Sequence, residues 1–199
     1  QSALVAIIVA IATTSALLLR SRRKLNLRFA FFSAAISLFY VSILLDTVFP
    51  AKIWLTHFRI MVAGFVLVTA TYFFDALMGE AGLMARERRR KTTFAGILII
   101  LSGFTPLAQN LWVQVGSAAI VILFLVARIQ AVSQRAGEVE SLAERTRLRY
   151  LSYGGLVTLL GILFDCAYLL HFPLPALGGL GVAVYLYFLS QALLFSRLL

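Results

Sequence analysis

Residues 144–176 read ERTRLRYLSYGGLVTLLGILFDCAYLLHFPLPA, and this stretch orients the rest of the chain. It opens on three arginines at alternate positions, Arg145, Arg147 and Arg149, continues as an apolar run of membrane length, and closes on two prolines. Basic residues collect on the cytoplasmic side of membrane helices, so the arginine end is predicted to lie in the cytoplasm and the proline end outside. One acid, Asp165, lies inside the apolar run.

The composition indicates that the membrane is the solvent of this protein. The chain has 199 residues, 61% of them hydrophobic, and a mean hydropathy of +0.95. A soluble domain must cover its core with polar surface, which this composition does not provide. The net charge of +10 would be typical of a nucleic-acid-binding protein if the chain were soluble. Because the basic residues lie in short segments between apolar runs, we predict no nucleic-acid partner.

Seven apolar segments predict an all-α fold, an integral membrane bundle of seven transmembrane helices. The predicted helices cover residues 2–19, 29–49, 57–79, 93–108, 111–127, 150–172 and 177–196. The fourth and fifth are short and are joined by a tight turn at Gln109 and Asn110, so a re-entrant hairpin is the alternative to two spans. Both arrangements return the chain to the same side, and loop charge does not separate them.

Loop charge predicts the orientation of the bundle. The segments after helices one, three, five and seven hold sixteen of the eighteen Lys and Arg residues, and the opposite side holds Lys52 and Arg59. This asymmetry predicts an N-terminus outside and a C-terminus in the cytoplasm. Residues 1–199 are predicted to form a single transmembrane domain.

The longest polar segment, residues 128–149, is predicted to be a cytoplasmic helical extension of helices five and six. Val132, Val139 and Leu142 recur at near-heptad spacing within it. Because Gly137 is the only helix breaker there, residues 138–148 are expected to be helical and continuous with helix six.

The sequence lacks the motifs that carry catalysis. It has no phosphate-binding loop, no H-E-x-x-H pair and no nucleophile elbow. We therefore predict no catalytic residue, no cofactor and no metal site in this segment. Gly178, Gly179 and Gly181 match half of a dinucleotide fingerprint, but they follow no predicted strand and open a membrane helix. Their position favours close helix packing.

Ionisable residues inside the apolar segments are the best candidates for a functional site, because each is costly at that depth. Asp46 and Asp165 are predicted to lie at matching depths in the outer half of the membrane, and Arg59 begins helix three at the same level. His57 and His171 cap this region. Two interpretations stay open: a ligand-binding pocket that opens outward, and a structural polar cluster that holds helices two, three and six together. In either case we expect Arg59 within hydrogen-bond reach of one of the two acids.

A cytoplasmic basic face is the second candidate surface. It is predicted to attract anionic lipid headgroups, and Asp75, near the inner end of helix three, is expected to pair with one of its arginines. The residues of this face are Arg86, Arg88, Arg89, Arg90, Lys91, Arg145, Arg147 and Arg149.

The chain resembles the N-terminal seven-helix sensor region of bacterial histidine kinases. The features that carry the resemblance are the seven spans, the short outer loops, the E-R-x-R-L-R-Y-L motif at residues 144–151 and the ending Ser196-Arg197-Leu198-Leu199. The resemblance covers essentially the whole chain. It implies a multi-pass protein of the bacterial inner membrane, a homodimer, and a signal from a small ligand or a protein that passes through helix seven.

The same resemblance implies that soluble output domains follow residue 199. This segment has no phosphoacceptor histidine region and no ATP-binding domain, so a kinase activity is expected only of the full-length protein. Two other functions are compatible with the sequence. One is a structural membrane subunit that docks partners through its basic face, and the other is a small transporter or channel that uses the buried acids.

Overall fold

A computed structural model describes residues 2–20, 24–49, 52–79, 83–169 and 178–195. These residues form seven α-helices and one short 3-10 turn at Pro106–Gln109, and no strand occurs among them. The predicted all-α fold is confirmed. The helices are α1 (Ser2–Arg20), α2 (Lys24–Val48), α3 (Ile53–Leu77), α4 (Leu83–Gly103), α5 (Leu111–Glu138), α6 (Leu142–Leu169) and α7 (Gly178–Phe195).

Among the residues that the structure describes, four helices are long and apolar enough to cross a membrane: α1, α2, α3 and α5. Helix α4 does not meet the same criterion, because basic side chains occupy its first turns. Its apolar part, residues 92–103, would span only about 18 Å, whereas a hydrocarbon core is about 30 Å thick.

Most of the predicted helix starts are too late, and α4 shows the physical reason. We predicted a start at residue 93, but the helix begins ten residues earlier, at Leu83. Residues 83–91 are all good helix formers. Lys91 contacts Glu87 at 2.7 Å with the spacing of four residues that stabilises a helix surface. A predicted loop is therefore three more turns of helix. Helices α2 and α3 also begin before their predicted starts, at Lys24 and Ile53.

Prolines and glycines set several helix ends. Helix α4 ends at Gly103, before Pro106, since a proline cannot donate the backbone hydrogen bond that would continue the helix. Helix α3 ends before Gly79, which has φ +62°, a conformation that glycine adopts at little cost. The tight turn predicted at Gln109 and Asn110 is the end of the 3-10 turn, after which α5 begins.

The prediction that α6 begins without a break at residue 138 is wrong. Helix α5 continues to Glu138, residues 139–141 are not helical, and α6 starts at Leu142. Ser141 accepts the first backbone hydrogen bond of α6, from Arg145 N–H at 2.9 Å, and serine is a preferred residue at this position. The predicted extension of both helices into the 128–149 segment is confirmed.

The helices group into two compact units. Unit 2 contains α2, α3, α4, the 3-10 turn and α5 up to Val121, and α3 is its centre because it packs on both α2 and α4. Aromatic rings fill the contact between α2 and α3. The ring of Phe32 stacks on that of Phe73 at 5.3 Å, and Phe29 meets the edge of Phe73 at 5.7 Å.

Helices α3 and α4 approach each other closely at glycines. A Cβ atom added to Gly64 would lie 2.6 Å from the carbonyl oxygen of Gly96, and one added to Gly96 would lie 3.1 Å from that of Gly64. Such small residues are typical of helix contacts inside membranes, where backbones pack without intervening side chains.

Unit 1 contains α1, α6, α7 and α5 from Ile122. Helix α7 packs on both α1 and α6, and its opening glycines make this possible. A Cβ on Gly178 would overlap the Asp165 carboxylate and lie 2.6 Å from the carbonyl oxygen of Gly161, and one on Gly179 would overlap the backbone of Ser2. The packing role predicted for these glycines is confirmed.

Candidate functional site

Asp46 and Arg59 form an ion pair between α2 and α3. Arg59 Nη2 donates to Asp46 Oδ2 at 2.9 Å, which confirms the prediction that Arg59 reaches one of the two acids. The Arg59 side chain is 16% exposed and that of Asp46 is 37% exposed. A pair at this depth is more strongly coupled than one on an open surface, because water screens it less.

The Arg59 guanidinium keeps one unused donor. Its Nε is buried and has no hydrogen-bond partner among the described residues. Arginine presents five N–H donors in a rigid fork that suits a carboxylate or phosphate. The pair therefore has the chemistry to accept an anionic or carbonyl-bearing ligand beside Asp46.

His57 lies two residues before Arg59 and bonds to a different neighbour. Its Nδ1 lies 2.8 Å from the carbonyl oxygen of Gly103, and its Nε2 lies 3.4 Å from Gln109 Nε2. A carbonyl only accepts, so Nδ1 carries the proton and donates to the last residue of α4. Residues two apart do not share a helix face, which is why Arg59 binds α2 while His57 binds the α4 end and the 3-10 turn.

Asp165 lies in unit 1 and is 3% exposed. Its Oδ1 accepts a hydrogen bond of 2.9 Å from the backbone N–H of Gly178, the first residue of α7. The amides at a helix N-terminus carry partial positive charge, so a carboxylate is favourable there. The sequence predicted a polar role for Asp165 but not this partner, because a backbone amide leaves no mark in the sequence. His171 lies outside the described residues.

A hydroxyl adds a second polar contact between α6 and α7. Thr158 Oγ1 lies 2.8 Å from the carbonyl oxygen of Gly154 and 2.9 Å from that of Gly181. Thr158 and Asp165 are seven residues apart and so lie on one face of α6. The first turns of α7 are thus fixed to α6 at two levels.

Asp75 links the other end of α3 to the basic start of α4. It is 2% exposed, and its Oδ2 accepts from Arg89 Nε at 2.7 Å while Arg88 Nη2 lies 3.7 Å from Oδ1. The expected pairing of Asp75 with an arginine is confirmed. Arg89 also lies over the ring of Tyr72 at 5.7 Å. Buried carboxylates need such partners, so this contact locks α3 to α4.

The rest of the predicted basic face is divided between both units. In α4, Arg86, Arg90 and Lys91 are exposed. The ammonium of Lys91 lowers the pKa of the Glu87 carboxyl, mainly through their hydrogen bond. Arg149, in α6, is also exposed.

Arg145 has a role that the sequence analysis missed. Its Nε donates to the carbonyl oxygen of Ala136 at 3.1 Å, and its Nη2 donates to that of Gly137 at 3.3 Å. The side chain therefore caps the C-terminus of α5 from the first turn of α6. The signal for this break was present as Ser141 followed three residues later by Glu144, the spacing of a capping box.

No family model, no curated protein and no solved structure matches this chain.

Proposed function

We propose that this chain is the membrane-embedded sensory module of a bacterial two-component histidine kinase in the cytoplasmic membrane. In this proposal seven helices cross the membrane, and α4 completes its span by placing its long basic side chains at the cytoplasmic interface. The N-terminus lies outside, and the C-terminus leads into cytoplasmic signalling domains. The module acts as a homodimer and receives a small ligand or a protein signal at its outer end. Helix α7 carries the change to the cytoplasm.

The observation that carries the proposal is the buried contact between Asp165 and the N-terminus of α7. A signal that changes the charge or position of Asp165 acts directly on the first amide of α7. Because Gly178 and Gly181 bring the first turn of α7 against the backbone of α6, a displacement of α6 at this point would act directly on the start of α7. The contact thus supplies a physical coupling between an intramembrane acid and the helix that would leave the membrane.

The Asp46–Arg59 pair supports a receiving end in unit 2. Asp46 is partly exposed, so a ligand can reach the pair at its carboxylate, and Arg59 Nε has no hydrogen-bond partner among the described residues. The structural interpretation of the same pair is that it holds α2 against α3. A ligand would shift Arg59 from the arrangement in which it binds Asp46 to one in which it binds the ligand. This shift requires that the ligand bind the two arrangements with different affinities.

The proposal is tested on the full-length protein in membranes, with autophosphorylation per folded molecule as the readout. Asp165→Asn keeps an oxygen that accepts from Gly178 N–H but removes the negative charge at the α7 terminus. We expect a severalfold shift in autophosphorylation with little loss of folded protein. Thr158→Val is the matched control, because it removes a neighbouring contact between α6 and α7 without changing charge.

Two outcomes would contradict the proposal. Unchanged autophosphorylation in Asp165→Asn, together with a lower unfolding temperature, would make the contact purely structural. A gene that encodes no histidine-kinase domains after residue 199 would remove the kinase assignment.

The exposed arginines of α4 favour a second candidate function, a membrane subunit that docks an acidic partner. Arg86→Glu combined with Arg90→Glu would then abolish recovery of that partner in a pull-down, whereas the sensor proposal expects the reversal to leave the partners of the full-length protein unchanged.

A further inference from the structure

An apolar groove of about 280 Å³ lies between α4 and the first half of α5, within unit 2. The two helices are consecutive and are joined through the 3-10 turn. Each contributes side chains at positions i, i+3, i+4 and i+7, the spacing of one helix face. The lining residues are Ala95, Leu98, Ile99 and Ser102 of α4 and Val113, Gly116, Ser117 and Ile120 of α5.

The two serines in the groove do not make it polar. Ser102 Oγ donates to the carbonyl oxygen of Ile99 at 2.7 Å, and Ser117 Oγ donates to that of Gln114 at 2.9 Å. Both hydroxyl protons are thus used within their own helices. A Cβ added to Gly116 would have no atom within 4 Å, so this wall of the groove is open. The groove therefore suits an occupant made of methylene groups.

The groove leads toward a cationic end of α4. Lys91 and Arg88 precede Ala95 by four and seven residues, so they lie on the same face one and two turns nearer the start of the helix. Residues 83–91 hold five basic side chains and one acid, Glu87. The ammonium of Lys91 has three donors, its side chain is 76% exposed, and its contact with Glu87 uses one donor. The remaining donors can bind a phosphate.

We infer that this groove binds one acyl chain of an anionic phospholipid whose phosphate lies at Lys91. The apolar walls of the groove would contact the acyl chain, and the basic start of α4 would contact the headgroup. The basic start and the groove follow one another along α4, as the headgroup and the acyl chain do in a phospholipid. The inference rests on the proposed insertion in a membrane and does not depend on the proposed signalling role.

The size of the groove favours a lipid chain over a helix of a second copy. The lining runs over eight residues of each helix, or about 10 Å from first to last. A helix with its side chains is itself about 10–12 Å across. Small residues such as those of the groove can also pack against a membrane helix, but the groove serines already donate within their own helices and have no hydroxyl proton left for a bond across such a contact. A flexible chain fills such a space with contacts along its whole length.

The test uses the complete chain in vesicles that contain either an anionic or a zwitterionic phospholipid with the same photoreactive acyl chain. After illumination, peptide mass spectrometry maps the adducts. We expect the anionic lipid to label the groove residues several times more than the outward stripe of Phe94, Ile97 and Leu101, which are exposed. The zwitterionic lipid should label both faces equally.

Four variants test whether the groove and Lys91 bind the lipid. Gly116→Leu fills the groove and should abolish the preference, with Gly116→Ala as a milder version if the leucine impairs folding. Ala119→Leu, an exposed position outside the groove, is the matched control and should keep it. Lys91→Glu should remove the advantage of the anionic lipid.

Equal labelling of both faces by the anionic lipid would overturn the inference. So would a groove that excludes lipid while Ser102→Cys chains, in a Cys166→Ser background, cross-link to one another, because the occupant would then be a second copy. Absence of labelling on every helix would mean that the chain is not in the membrane, and the proposed function would fail with it.

Discussion

At the scale of single residues, the three aspartates of the helices are stabilised by three kinds of partner. Asp46 pairs with an arginine of the next helix, Asp75 with two arginines that follow its own helix, and Asp165 with the amide of a helix start. The first two partners were predictable, because both charges stand in the sequence and a charge inside a membrane needs an opposite one. The partner of Asp165 was not predictable, because it depends on the residue at which α7 begins, and composition does not determine that residue.

Loss of the Asp46 charge should leave Arg59 mostly buried without its counterion. For Asp46→Asn we expect the free energy of unfolding to fall by about 1–2 kcal/mol, between the values typical of surface and buried pairs, because Asp46 is partly exposed. Denaturant unfolding in detergent micelles measures it. The control is Glu87→Gln, which breaks the exposed contact with Lys91 and should lower stability much less, because water screens an exposed pair. Equal effects of the two variants would contradict the burial argument.

At the scale of helices, the sequence predicted their number and order better than their ends. Hydrophobicity reports where a helix lies in lipid, so the predicted start of α4 followed its apolar segment and missed its polar first turns. The polar extension of α6 was predicted, but the break at residues 139–141 before it was not. Those turns are held by contacts that hydropathy does not register, such as Lys91 with Glu87 and Arg145 with the end of α5. Helical propensity and the capping pattern at Ser141 were the better guides there.

Glycines should differ sharply in their tolerance of a methyl group. Gly64→Ala places a Cβ 2.6 Å from Gly96 O and 2.9 Å from Ile100 N, so α3 and α4 must separate, at a cost of roughly 1–3 kcal/mol. Gly116→Ala meets no atom within 4 Å and should be neutral or stabilise the helix by about 0.5–1 kcal/mol. Thermal unfolding of the two variants under one condition checks the contrast. A destabilised Gly116→Ala would refute it.

At the scale of the whole molecule, the sequence predicted an all-helical chain with membrane-length segments, and the structure has both. The division into two units was not predictable, since it depends on which helices become neighbours. Hydropathy is similar for every long apolar helix and does not encode that choice. The glycine contacts that decide it, Gly64 with Gly96 and Gly178 with Gly161, are recognisable only once the partner helix is known.

The central claim is that the helices cross the membrane with the basic segments inside, and α5 offers the most direct test. Its 28 residues would extend about 42 Å, more than the thickness of a hydrocarbon core. Gln109 and Gly137 lie at its two ends and are both exposed. In a Cys166→Ser background, Gln109→Cys should react with a membrane-impermeant maleimide in intact cells, and Gly137→Cys only after permeabilisation. Labelling of Gly137→Cys in intact cells, or protection of Gln109→Cys as in a re-entrant hairpin, would contradict the claim.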